Sequence, residues 1–297
     1  MAEKIEFKKI REFGEIIGDT FLFIRQNFKP LMKAFLYLCG IFILGGILTM
    51  IMTQLQVGDM QENFRNSYNF SGESVWSRLS KFVIQYLFMM MFMMLSYTSV
   101  YVTVLSYVAL YIQKGNVAPN VEEVWSYYKY YFFRMFGSGI VISIFLVFCF
   151  ACCFFPGVYV FPAVSIMSVI MVIENASLGY SFNRSFKLLR NEWWATAGVL
   201  IVVSIITYAC TLLVQLPATI IAMVSAFTHA EQRITKTYAI VASISQYLSQ
   251  IFLIIPILAA TLIYFNLVER KESTGLLDRI DGLGKGPEQF NSTPEEY

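Results

Sequence analysis

An all-α membrane protein is the fold class this sequence predicts, and three observations predict it. Only 14% of its 297 residues are charged and 57% are hydrophobic, whereas ordinary soluble chains carry about 25% charged residues. Six apolar stretches are long enough to cross hydrocarbon roughly 30 Å thick, which takes about 20 helical residues. Basic residues also gather in alternate connections between those stretches. A net charge of +2 is too small to mark a nucleic-acid partner.

Ahead of the first apolar stretch, FKKIREFGEIIGDTFLFIRQNF (residues 7–28) brings Phe7, Ile10, Phe13, Ile17, Phe21, Ile24 and Phe28 to helical spacing. This predicts an amphipathic elbow helix within residues 1–29, lying in the interface before Pro30. No apolar core follows the first basic residues, so a cleaved secretory leader is not expected. The first span covers residues 31–52, and a polar loop (54–80) leads to the second, which is free of charge from Phe82 to Ile112. A second surface helix follows at 120–133, with Asn120 and Glu123 placed as a capping pair and Val121, Val124, Trp125 and Tyr128 on one side. The third span (136–155) meets Pro156-Gly157, a turn signal that reverses the chain into the fourth (158–173).

Between spans four and five lies ENASLGYSFNRSFKLLRNEWW (174–194). On a helix starting near Asn175, Leu178, Phe182, Phe186 and Leu189 form one apolar stripe, while Arg184, Lys187 and Arg190 lie on another side. Such a helix lies in the interface, apolar face among acyl chains and basic face toward anionic headgroups or a partner. Trp193 and Trp194 mark the interface where span five begins. Pro217 is expected to kink or end that span, and Pro256 to bend the sixth, which runs from about Thr237 to Val268.

The transmembrane domain thus covers 30–270. The tail (271–297) reads as a short amphipathic helix with Leu276, Leu277, Ile280 and Leu283, then a disordered end. Three surface helices precede spans one, three and five. A shift of 165 residues pairs Gly14 with Gly179, Phe21 with Phe186, Arg25 with Arg190 and Phe28 with Trp193, which points to a threefold repeat of surface helix plus hairpin.

Orientation follows from Lys and Arg in the connections. Lys4, Lys8, Lys9, Arg11, Arg25, Lys29, Lys33, Lys114, Lys129, Arg134, Arg184, Lys187, Arg190, Arg270, Lys271, Arg279 and Lys285 share one side. The other holds Arg65, Arg78, Lys81, Arg233 and Lys236. Both termini are therefore expected in the cytoplasm.

Polar residues inside spans are costly and point to function or to interhelical contacts. Gln85, Ser99, Thr103 and Ser106 in span two, Tyr208, Thr211 and Gln215 in span five, and Ser243, Gln246, Ser249 and Gln250 in span six can face one another as a polar pocket. The plainer reading is hydrogen bonding that only holds the bundle, usually worth under about 2 kcal/mol per contact. Glu174 reads as a cap of the surface helix or a partner of Arg184. Cys149-x-x-Cys152-Cys153 has metal-like spacing, but a closed site wants four ligands and the only histidine, His229, is remote in sequence. The methionines from Met89 to Met94 read as adaptable packing. No nucleophile elbow, zinc-protease motif or phosphate-binding glycine loop occurs, so no enzyme activity, cofactor, metal or catalytic residue is expected.

Glu174, Ser181, Phe182, Arg184, Ser185, Phe186, Trp193 and Gly198 resemble the hallmark segment of the membrane domain found in some glycerophosphoryl diester phosphodiesterases and in stand-alone bacterial membrane proteins. The likeness extends loosely over residues 10–270. No soluble phosphodiesterase domain accompanies it, so the resemblance implies a multi-pass bacterial inner-membrane protein without hydrolytic residues. An elbow helix before six spans also resembles, more weakly, the membrane half of an ABC exporter, though the long cytoplasmic extensions are missing.

The expected function is that of a non-catalytic helper or scaffold. Arg25, Arg184, Lys187, Arg190, Trp193 and Trp194 would dock anionic lipid and a membrane or cytoplasmic protein partner. The alternative is a transporter or lipid-handling permease that uses Gln85, Ser99, Thr103, Thr211, Gln215, Gln246 and Gln250 between spans two, five and six. Active transport would then need a separate ATPase or an ion gradient.

Overall fold

The computed structural model describes residues 4–65, 75–152, 154–228 and 231–273. It is 90% helical with no strand among the described residues, and six helices are long and apolar enough to cross a membrane. In lipid, backbone N–H and C=O groups must be satisfied within their own segment, which leaves apolar runs of this length no alternative to the helix. Helices α1 (Phe13–Arg65), α2 (Val75–Gln113), α3 (Val121–Cys152), α4 (Phe154–Ile173), α5 (Leu178–Leu189), α6 (Trp193–Thr228) and α7 (Glu231–Leu248) lead through a 3-10 segment (Ser249–Leu253) into α8 (Ile254–Glu272).

Several boundaries differ from the sequence expectation. The elbow is not a separate helix: residues 13–29 are the opening turns of α1, which continues through Pro30, and residues 121–133 likewise open α3. Of the three expected surface helices only α5 stands alone. Of the expected elbow stripe Phe13, Phe21 and Phe28 are exposed, as a lipid-facing stripe would be, while a second stripe of Ile16, Thr20, Phe23, Asn27 and Leu31 is buried. The buried stripe escapes an apolar period count because two of its members are polar and bonded. Thr20 donates to the Ile16 carbonyl at 2.7 Å, and Asn27 Oδ1 accepts from Tyr107 at 3.1 Å.

Much of the expected 54–80 loop is helical, with α1 reaching Arg65 and α2 starting at Val75. The rest of that loop, His229 and the tail beyond Ser273 lie outside the described residues, as do the side chains of Cys152 and Cys153. Pro217 sits inside α6 without ending it. Span six does change, passing from α7 into the 3-10 segment, and Pro256 then falls in the first turn of α8, where its missing N–H has no helical partner to lose. Helix α3 ends at Cys152 and α4 begins at Phe154, so Pro156-Gly157 belong to the first turn of α4. Gly157 is needed there for space: a Cβ would stand 2.5 Å from the Phe150 ring.

The core gathers around α8, which touches α1, α2, α4, α5 and α6. Residues 4–12, the α2–α3 connection, α5 and the end of α8 meet at one end of the bundle, here called the basal end. There the non-helical segment before α1 tucks under the helices. Ile5 and Phe7 are buried, and the Phe7 ring meets Phe23, Phe265 and Tyr111 edge-on at 5.4, 5.6 and 6.1 Å.

Both ends of α4 are tied to basal elements. Near its start the Tyr159 carbonyl accepts from Trp193 Nε1 at 2.9 Å, and the Tyr159 ring lies 6.2 Å from Phe186. Just past its end Glu174 bonds Tyr264 and Arg184. Helix α4 packs against α5 and also touches α2, α6 and α8.

Candidate functional site

The basal end concentrates the charged side chains, and local sequence sets them out. Helix α5 begins where Asn175 takes a positive φ of 49° and Ser177 caps the first turn, its hydroxyl accepting from the Tyr180 N–H at 3.4 Å. Asparagine tolerates the left-handed region better than most residues, and Asn116 and Asn191 do the same after α2 and α5. Arg134 of α3 fixes the α4–α5 corner by donating to Asn175 Oδ1 at 2.8 Å. Ser181, Ser185, Leu188 and Leu189 form the buried face of α5. Phe182 and Phe186 are half-buried and pack on each other and on Phe145 and Tyr159.

Arg184 points inward to a cluster of acids. Its guanidinium grips both carboxylate oxygens of Glu272, at 2.6 and 2.9 Å, and reaches Glu174 Oε1 at 3.2 Å. That same oxygen accepts the Tyr264 hydroxyl at 2.8 Å. The hydrogen bond to Glu272 is the largest cause holding the guanidinium pKa above its ordinary value; burial opposes the rise and the Glu174 charge adds to it. Fork-to-fork pairing of this kind fixes geometry as well as charge, so Arg184 joins α4, α5 and α8 from within. Of the expected docking residues, then, Arg184 is the one whose charge is already answered inside the fold.

The others lie on the surface. Arg25, Lys187 and Arg190 are exposed, and Trp194 is 83% exposed. Trp193 is half-buried, stacked at 5.7 Å on Tyr159. Lys271 caps the end of α5 by donating to the carbonyls of Lys187 and Arg190 at 2.7 and 2.9 Å, which brings a third cation to the same corner. Lysine at a helix C-terminus also answers the dipole.

Arg11 is the residue that periodicity missed. It is 1% exposed, with its Nε 2.7 Å from Asp19 and its terminal nitrogens donating to the carbonyls of Glu6, Phe7 and Lys9. Its own N–H donates to Asn266 Oδ1 at 2.8 Å, and Arg270 holds its carbonyl at 3.1 Å while reaching Glu192 at 3.4 Å. A count of charges by side of the membrane cannot tell such a clamp from a solvated lysine.

The polar residues of the spans are brought together in separate pairs. Gln215 of α6 donates to Gln246 of α7 at 2.9 Å, and Ser96 of α2 to Gln250 of the 3-10 segment at 2.5 Å. Ser99 donates to the Leu38 carbonyl at 3.3 Å and accepts from Tyr128 at 2.9 Å. Thr103 lies 3.5 Å from the Cys39 sulfur. Gln85 and Thr211 are half-buried. Span two thus directs its polar face to α1 and α3 as well as to span six, a division that sequence could not assign because four helices offer partners.

Comparison of the chain with family models, curated proteins and solved structures found no match.

Proposed function

We propose that this chain is a non-catalytic membrane protein that docks anionic lipid headgroups, and a protein partner beside them, on its basal face. In this reading the basal face is cytoplasmic, the membrane is the inner membrane of a bacterium, and Arg25, Lys187, Arg190 and Trp194 make the contact. One observation carries it: at the end of α5, Lys187 and Arg190 are exposed and Lys271 joins them, beside a nearly bare tryptophan. Clustered cations at a membrane surface attract acidic lipid at about 1 kcal/mol each. The resemblance to the membrane domain of glycerophosphoryl diester phosphodiesterases accords with the same reading.

Arg184 takes a different role here from its neighbours, that of holding α5 in place. The test separates the two. Lys187→Ala with Arg190→Ala should lower retention of phosphatidylglycerol and of any co-purifying protein, read by native mass spectrometry, without changing thermal stability. Arg184→Ala should lower stability first. Undiminished retention of both lipid and protein by the double variant would remove the basis for docking.

A further inference from the structure

We infer that the cavity lined by α2, α4, α6 and α8 holds the end of a single phospholipid acyl chain. The cavity measures ≈ 80 Å³. Leu105, Val169, Leu200, Ile257 and Ala260 form its buried wall, and Phe161 and Ser204, both exposed, stand at its mouth.

Depth decides what can reach that mouth. Along α6, Ser204 lies eleven residues beyond Trp193, roughly 16 Å at 1.5 Å per residue, which is about half of a hydrocarbon layer ~30 Å thick. A mouth at that height faces acyl chains. On the basal side the Trp193–Tyr159 stack and its hydrogen bond join α6 to α4. An occupant therefore arrives sideways, from the bilayer.

Size and chemistry narrow it further. The volume is about half that of a ~150 Å³ cavity that takes benzene, which suits the last few carbons of a chain and not a ring system. Three hydroxyls line it, those of Tyr101, Ser165 and Ser204, among seven residues with no polar side chain. Ser165 donates to the Phe161 carbonyl at 3.0 Å, and Pro256, which lines the α8 side, has no N–H to offer. A chain ending here places its headgroup at the level of Arg190, Trp193 and Trp194. The site needs no particular headgroup, so it does not rest on the docking reading.

The test uses the full chain reconstituted in bilayers containing phosphatidylglycerol with a diazirine near the end of one acyl chain, and separately a free fatty acid with the same group. After irradiation and digestion, crosslinks from the phospholipid should map to the cavity residues of α4, α6 and α8. Ser204→Trp at the mouth and Ala260→Phe in the wall should each abolish them, while labelling of Ile144 and Phe148 on the exposed part of α3 persists and reports an inserted, folded chain. Ser204 is exposed, so its replacement keeps the test valid if the Ala260 variant fails to fold. Cavity labelling unchanged in Ser204→Trp, or label confined to α3, would overturn the proposal. Stronger cavity labelling by the fatty acid would overturn the phospholipid assignment. Loss of headgroup retention in the Lys187→Ala, Arg190→Ala variant with cavity crosslinks intact would separate this site from the docking surface.

Discussion

Two spans of this chain have the same mean hydropathy and opposite fates. The apolar windows of the spans at Trp193–Ser225 and Lys236–Glu272 both average 2.4, yet 22% of the first is buried inside the protein against 78% of the second. In water such a difference would be written in the residues, because an exposed face must be polar. In lipid the tails are as apolar as leucine, so packing and hydrogen bonding, not hydropathy, decide which helix lies at the centre. Helix α8 carries the means: the small Ala259 and Ala260 allow close approach, and Thr261 and Asn266 bond within the core. Helix α6 turns Ile201, Ile205, Leu213 and Ile220 outward.

The largest expected effect tests the basal anchor of the central helix. Arg11→Leu removes the side-chain donor from three carbonyls and leaves Asp19 without that partner, so it should cost about 3–5 kcal/mol, as breaking a buried pair does. Thermal unfolding in mild detergent reads that cost, and hydrogen exchange should show residues 4–12 released from α8. The next effect addresses the comparison itself. Leu258→Ala in α8 should cost about 2 kcal/mol or more through lost packing, while Leu213→Ala in α6 should stay within ~0.5 kcal/mol. Equal losses at the two sites would mean that the outer face of α6 is covered, and the contrast would fail.

Smaller effects sharpen it. A Cβ at Gly46 of α1 would collide with the Tyr247 ring of α7, so Gly46→Leu should destabilise by about 1–3 kcal/mol. Removing the Gln215–Gln246 bond with Gln215→Leu should cost only about 0.6 kcal/mol, the usual value for such pairs in a membrane. A double-mutant cycle with Gln246→Leu measures the coupling. Transport lost in Gln215→Leu at unchanged stability would instead revive the permease alternative.

How much was legible follows the same division. Apolar run length announced the helices, and of the two roles open to Glu174, helix cap or partner of Arg184, the structure shows the second, with Ser177 as the cap. The Arg184 partner Glu272 was hidden because it stands 88 residues away, beyond the last span, where it read as part of a tail. Arg11 was hidden among other basic residues, and its burial depends on carbonyls of its own segment as much as on Asp19. The polar residues of spans two, five and six were recognised, but their pairing was not, since Ser99 finds Tyr128 of α3 and the Leu38 carbonyl of α1. The break at Ser249–Leu253 was foreseen only as a bend, because Pro256 marks where a helix can restart and not where the previous one loosens.

By itself the sequence determined that the chain is helical and made for a membrane, with a basic end, since both follow from composition and from backbone groups that lipid cannot solvate. Only the tertiary structure decided which apolar helix is central, that α4 lines a cavity with α2, α6 and α8, and which arginines face inward. Those outcomes depend on shape, on pairing over long sequence separations and on small residues at crossings, and lipid-facing and protein-facing surfaces share one alphabet.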